Sequence, residues 1–151
     1  MMKKMTLAAC ALVVAGSAFA LEPDKAIQFR QAGYSFMSWN MNTIKNNVEG
    51  TYNQAQVIAA ANSIAAIANS GMGALYVPGS EKDVGNVKTT VKPEFFSKPQ
   101  DAAKVAQAFN REANELAKVA ATGNAAAVKA QFGKVGAACK ACHDDFRIKR
   151  N

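Results

Sequence analysis

Residues 124–147 read NAAAVKAQFGKVGAACKACHDDFR. Within that stretch Val128, Phe132, Val135, Cys139, Cys142 and Phe146 recur at alternating steps of four and three, which lays them along one face of an α-helix. Asn124 is placed to start this helix, and Thr122-Gly123 to stop the one before it. The apolar stripe ends in Cys139-Lys140-Ala141-Cys142-His143, so whatever chemistry those residues carry faces the interior of a helical fold.

The same spacing recurs upstream. Ile27, Arg30, Tyr34, Met37, Met41, Ile44 and Val48 form a stripe that predicts a helix over about 23–48, with Pro23 at an early helical position and Asp24 near the positive end of its dipole. Val57, Ile58, Ala61, Ile64, Ala65 and Ala68 predict a second helix over about 54–70, with Asn53 as its N-cap. Ala102, Val105, Phe109, Ala113, Leu116 and Ala120 predict a third, beginning near Pro99. Between the second and third helices, residues 71–98 are rich in Gly, Pro, Lys and Thr and read as a long crossover. Two short turns and one crossover describe an all-α, antiparallel four-helix bundle. A chain of 151 residues fits one such domain, and no internal repeat is visible.

Residues 1–20 have the form of a signal peptide: Lys3 and Lys4, an apolar run from Leu7 to Val14, and Ala18-Phe19-Ala20 as a small-x-small cleavage site. The apolar run is too short for a span, and no stop-transfer pattern follows. Cleavage after Ala20 predicts an exported, periplasmic domain over 21–151. Leu7-Ala8-Ala9-Cys10 resembles a lipid-modified cysteine site, but the apolar region continues past Cys10, contrary to a lipoprotein signal. Removal of Cys10 leaves Cys139 and Cys142 as the only cysteines in an oxidising compartment. The net charge of +7 falls to +5 without Lys3 and Lys4. The basic residues are scattered among Asp and Glu, with no aromatic-interleaved patch, which argues against nucleic-acid binding.

Two thiols and a histidine spaced as C-x-x-C-H can add to the two vinyl groups of one haem and ligate its iron from the same side. On a helix Cys142 and His143 are three and four residues after Cys139, so all three leave from one face. A thioredoxin-like redox pair would follow a strand in a βαβ unit. Zinc would need further ligands, and the mature chain has no other Cys or His. A structural disulfide is the blandest reading. Covalent haem c on Cys139 and Cys142, with His143 as the axial iron ligand, is the reading that uses motif, export signal and cysteine count together.

His143 is the only histidine, which excludes bis-histidine ligation within one chain. The other iron face is left to Met37, Met41, Met72, a deprotonated Tyr34, a lysine, or no protein ligand. Methionine would favour electron transfer, whereas an open face would admit small molecules. Met37 and Met41 also read as core filler at helical spacing. Catalysis by a haem protein of this kind lacks a distal histidine to move protons.

Ala26-Ile27-Gln28-Phe29-Arg30-Gln31, Lys92-Pro93-Glu94-Phe95-Phe96 and the run Phe132 to Arg147 resemble the class II c-type cytochromes, and among them the cytochrome c′ family, itself a type example of the four-helix bundle. The resemblance covers residues 22–150. It implies that Tyr34, four residues after Arg30, lies over the distal haem face where low-spin relatives carry Met, and hence a five-coordinate, high-spin iron. It further implies Arg30 near a haem propionate, Met37 in the distal pocket, and Arg147 beside the proximal face. The implied ligands are nitric oxide and carbon monoxide, with a redox partner and a homodimer formed through the first two helices. The alternative is a six-coordinate His/Met electron carrier.

Overall fold

A computed structural model describes residues 21–149. The signal peptide, its cleavage site and Cys10 lie outside the described residues. The described chain forms α1 (Pro23–Glu49), α2 (Gln54–Ala68), a 3-10 turn (Met72–Leu75), the short α3 (Glu94–Ser97), α4 (Pro99–Ala121) and α5 (Ala125–Phe146). Helix α1 packs on α2 and α5, α2 packs on α4, and α4 packs on α5, which closes the four long helices into an antiparallel bundle. Among the described residues no helix is long and apolar enough to cross a membrane.

The core follows the stripes. Ile44 from α1, Val57, Ala61 and Ile64 from α2, Ala113, Leu116 and Ala120 from α4, and Val128 and Val135 from α5 are fully buried together. Burying each Ile, Val or Leu contributes about 1.5–3 kcal/mol. The alanines of α2 let its neighbours approach closely.

Side-chain caps set the helix starts at the closed end. Asn53 Oδ1 accepts from the Gln56 N–H (3.1 Å), and Asn124 Oδ1 accepts from the Ala127 N–H (3.0 Å). Asn47 ties the turn between α1 and α2 by accepting from the Asn53 N–H (2.6 Å) and donating to Gln56 Oε1 (3.2 Å). Gly123, at φ 72°, turns the chain between α4 and α5, where a Cβ would come within 2.8 Å of the Gln54 side chain.

The second helix ends at Ala68, two residues before the expected stop. Asn69 Nδ2 and N–H both donate to the Ala65 carbonyl, and Ser70 Oγ donates to the Ile67 carbonyl. These polar residues satisfy the last turn's acceptors themselves, so the helix need not run on to the glycine. The crossover also departs from an irregular loop, since it holds the 3-10 turn and α3.

Candidate functional site

The end of the bundle opposite the α1–α2 turn is hollow. Tyr34, Met37 and Met41 of α1, Met72 and Tyr76 of the crossover, Val105 and Phe109 of α4, and Cys139, Cys142 and His143 of α5 line a cavity of about 1170 Å³. That exceeds the roughly 300–1,000 Å³ of ordinary small-molecule sites, and its wall is mainly apolar, as a large flat hydrophobic cofactor requires.

The α5 stripe brings Cys139 and Cys142 to this cavity as free, half-buried thiols. Burial pushes both thiols above their ordinary pKa, and the neighbouring Cys139 and Asp145 charges push Cys142 further. A thiol-disulfide catalyst needs the opposite shift. His143 stands at the rim, its pKa lowered first by desolvation and then by the Arg147 charge, so it presents a neutral imidazole. Among the described residues no three His, Cys, Asp or Glu side chains converge as a metal cluster.

The crossover closes the wall beside His143. Val91 and Arg147 pair as an isolated β-bridge. The Lys92 N–H donates to the Phe146 carbonyl (2.8 Å), and the Ile148 N–H to the Thr90 carbonyl (2.7 Å). Lys92 Nζ reaches the Asp144 carbonyl (2.8 Å). The Lys92-Pro93-Glu94-Phe95-Phe96 run thus docks against the end of α5, where Phe95 meets Phe146 edge-on at 5.4 Å. Arg147 lines the same cavity one turn beyond His143.

On the facing side, Tyr34 is 43% exposed at the rim, and its hydroxyl lies 2.9 Å from that of Tyr76. Desolvation raises the Tyr34 pKa, and burial raises that of Tyr76 strongly, so both phenols are neutral. A deprotonated Tyr34 is therefore disfavoured. Met37 is buried and belongs to the core cluster as well as the cavity wall; Met41 and Met72 pack on the same cluster. Gly33 lets Met72 sit tightly on α1, because a Cβ there would stand 3.0 Å from Met72 Cε.

Arg30 is 3% exposed, so it does not snorkel to solvent. Nor does it face a carboxylate. Nη1 donates to Ser80 Oγ (2.8 Å) and the Leu75 carbonyl (3.2 Å), and Nη2 to the Ser80 carbonyl (2.5 Å) and Thr89 Oγ1 (2.9 Å). These four bonds use every terminal N–H of the guanidinium, and a propionate could reach Arg30 only through Nε. Sequence reasoning missed Tyr76 and the Ser80 and Thr89 anchors, which sit in the aperiodic crossover.

Residues 25–147 match the family described as Cytochrome C′. The chain belongs to the cytochrome c′ family. It is 63% identical over 141 residues to the cytochrome c′ of Allochromatium vinosum, covering 92% of each chain. Among solved structures it is similar to the cytochrome c′ of Thermochromatium tepidum, with 58% identity, a TM-score of 0.85, and coverage of 86% of this chain and 99% of that one. It also resembles a cytochrome c′ described as having ligand-controlled dimer dissociation, with 64% identity, a TM-score of 0.84, and coverage of 85% and 98%. Two variants of the Alcaligenes xylosoxidans cytochrome c′, 27% and 28% identical at TM-scores of 0.75 and 0.74, carry bound NO and bound carbon monoxide; each match covers 85% of this chain and 98% of that one. Cytochrome c′ proteins carry covalent haem c, and the paired thiols at the end of α5 accord with its attachment here.

Proposed function

We infer that the mature domain, residues 21–151 after cleavage behind Ala20, is a periplasmic haem c protein that binds nitric oxide and carbon monoxide on an open iron face. Cys139 and Cys142 would hold the haem through thioether bonds, and His143 would ligate its iron. The observation that carries the reading is that the sole histidine of the sequence, His143, lines one mainly apolar cavity together with Tyr34 and the two cysteines, so that no second histidine can occupy the other iron face. When bound, the haem supplies a coordination position for a small diatomic ligand and a one-electron couple.

The chain's own residues determine what reaches that position. Tyr34 and Met37 crowd the distal side and exclude large ligands. The surrounding wall is mainly apolar and the Tyr34 hydroxyl is engaged with that of Tyr76, which favours NO and CO over dioxygen. Arg147, one turn past His143, flanks the proximal side and tunes the imidazole. Arg30 can offer Nε to a propionate while its other donors hold the crossover.

The role is binding rather than catalysis, because a phenol with a raised pKa is a poor proton acceptor at neutral pH. Electron exchange with a partner protein accompanies it, and the net charge of +5 after processing suits an acidic partner. The exposed aromatic residues of α1 suit a homodimer contact, in keeping with the dimer described for the relative that is 64% identical.

The reading is tested by absorption spectra of the purified holoprotein. High-spin spectra in both oxidation states, changed by added NO, are expected. A ferric methionine-to-iron charge-transfer band would overturn the open face and favour ligation by Met37 or Met41, which line the same cavity.

A further inference from the structure

Tyr34 meets the cavity as a tethered side chain. Its hydroxyl is hydrogen-bonded to Tyr76, 42 residues away in the crossover, and Tyr76 has little freedom of its own. The Tyr76 ring stacks on Phe95 with centroids 3.9 Å apart and planes 21° from parallel, and meets Phe96 edge-on at 6.0 Å. The Arg30 guanidinium lies over the same ring, 4.8 Å from its centroid.

Arg30 also fixes the backbone on which Tyr76 stands. One of its bonds goes to the carbonyl of Leu75, the residue before Tyr76, and two go to Ser80, four residues beyond. Arg30 and Tyr34 are one turn apart on α1. A single helix therefore presents both the residue that guards the cavity and the residue that positions its tether.

We propose that Tyr76 is a positioning residue for ligand access: its hydrogen bond latches the Tyr34 ring across the distal side of the cavity, and Arg30 holds the latch in place. An incoming diatomic ligand must displace Tyr34, so the bond between the two phenols adds to the barrier and lowers affinity. The inference rests on the open distal face proposed above. A neutral hydrogen bond of ordinary net strength corresponds to a change of about two- to tenfold in an equilibrium or a rate.

The test uses the holoprotein and Tyr76→Phe, which removes the hydroxyl and keeps the ring stacked between Phe95 and Arg30. Carbon monoxide association with the ferrous protein is followed by stopped flow in the wild type, Tyr76→Phe, Tyr34→Phe and the double variant. Each single variant is expected to associate about two to ten times faster, and the double variant no faster than the quicker single one, since both remove the same bond. Unchanged association in Tyr76→Phe alongside faster association in Tyr34→Phe overturns the latch.

A second readout does not depend on ligand binding. The infrared band of the tyrosine Cζ–O bond, assigned by isotope labelling, reports the hydrogen bond of Tyr34 and is expected to shift in Tyr76→Phe. Wild-type protein that takes up no carbon monoxide overturns the open face, and the latch is then decided by that band: a Tyr34 band unmoved by Tyr76→Phe overturns it.

Discussion

At the scale of single residues, Arg30 shows how one side chain can do two jobs. Its place on the α1 stripe marks it as a buried cation needing compensation, and the compensation comes from four neutral oxygens of the crossover. Hydrogen bonds to a charged group are each worth about 1.5–3 kcal/mol, and a buried acceptor left without its donor costs about 1–3 kcal/mol. Arg30→Met is therefore expected to destabilise the holoprotein by about 3 kcal/mol or more, measured by denaturant unfolding. The loss should be accompanied by faster amide exchange at Ser80 and Val91. A variant that loses stability with no change in exchange at those amides would show that Arg30 acts through the haem alone. That Cys139, Cys142 and His143 would meet at one cavity was legible because their spacing is local, three and four residues along one helix. Tyr76 was not, because its importance comes from Tyr34, Arg30 and Phe95, all distant in sequence, and nothing in Gly73-Ala74-Leu75-Tyr76 is periodic.

Among the elements, the four long helices were readable from alternating three- and four-residue steps, because each buries one continuous stripe. What that spacing could not reveal was where polar side chains intervene. The second helix stops at Ala68 because Asn69 and Ser70 take up its last carbonyls, and the crossover is ordered by bonds to α1 and α5 rather than by its own propensity. A further polar tie joins α4 and α5: Gln131, itself buried, donates to the Glu112 carboxylate (2.9 Å) and to the Glu112 carbonyl (3.1 Å). The Gln131 bond is the main cause holding the Glu112 carboxyl below its ordinary 4.5, with Arg111 adding to it. A lowered folded-state value means the tie contributes above about 4.5 and is lost as the pH falls through the lowered value. Glu112→Gln should therefore lower stability slightly at neutral pH, flatten the acid limb of the stability profile and converge with the wild type at acid pH. Thermal melts across that range check it; parallel acid limbs for variant and wild type would remove Glu112 from the account.

For the whole molecule, the outer surface of α1 carries what the bundle does not absorb. Phe29 (57% exposed), Phe36 (52%) and Trp39 (60%) lie seven and three residues apart on one side of the helix, and Phe36 stacks on Trp39 at 5.6 Å. If this side joins two copies of the chain, Trp39→Lys together with Phe36→Glu should yield monomers in sedimentation while leaving the haem spectrum in place. Unaltered dimers in that variant would move the interface elsewhere.

The cavity at the open end of the bundle, finally, links maturation to folding as an expected consequence. The cavity there is open at its rim, but its wall is largely apolar surface that water covers poorly. The closed end, with its caps and its core from Ile44 to Val135, can hold together on its own packing. The half that contains Tyr34, Phe109 and Cys142 turns apolar side chains toward the cavity, so a haem there would serve as core as much as cofactor. A chain that fails to receive it is expected to keep an ordered closed end and a looser open one, more readily cut by added protease at the end where the cysteines lie.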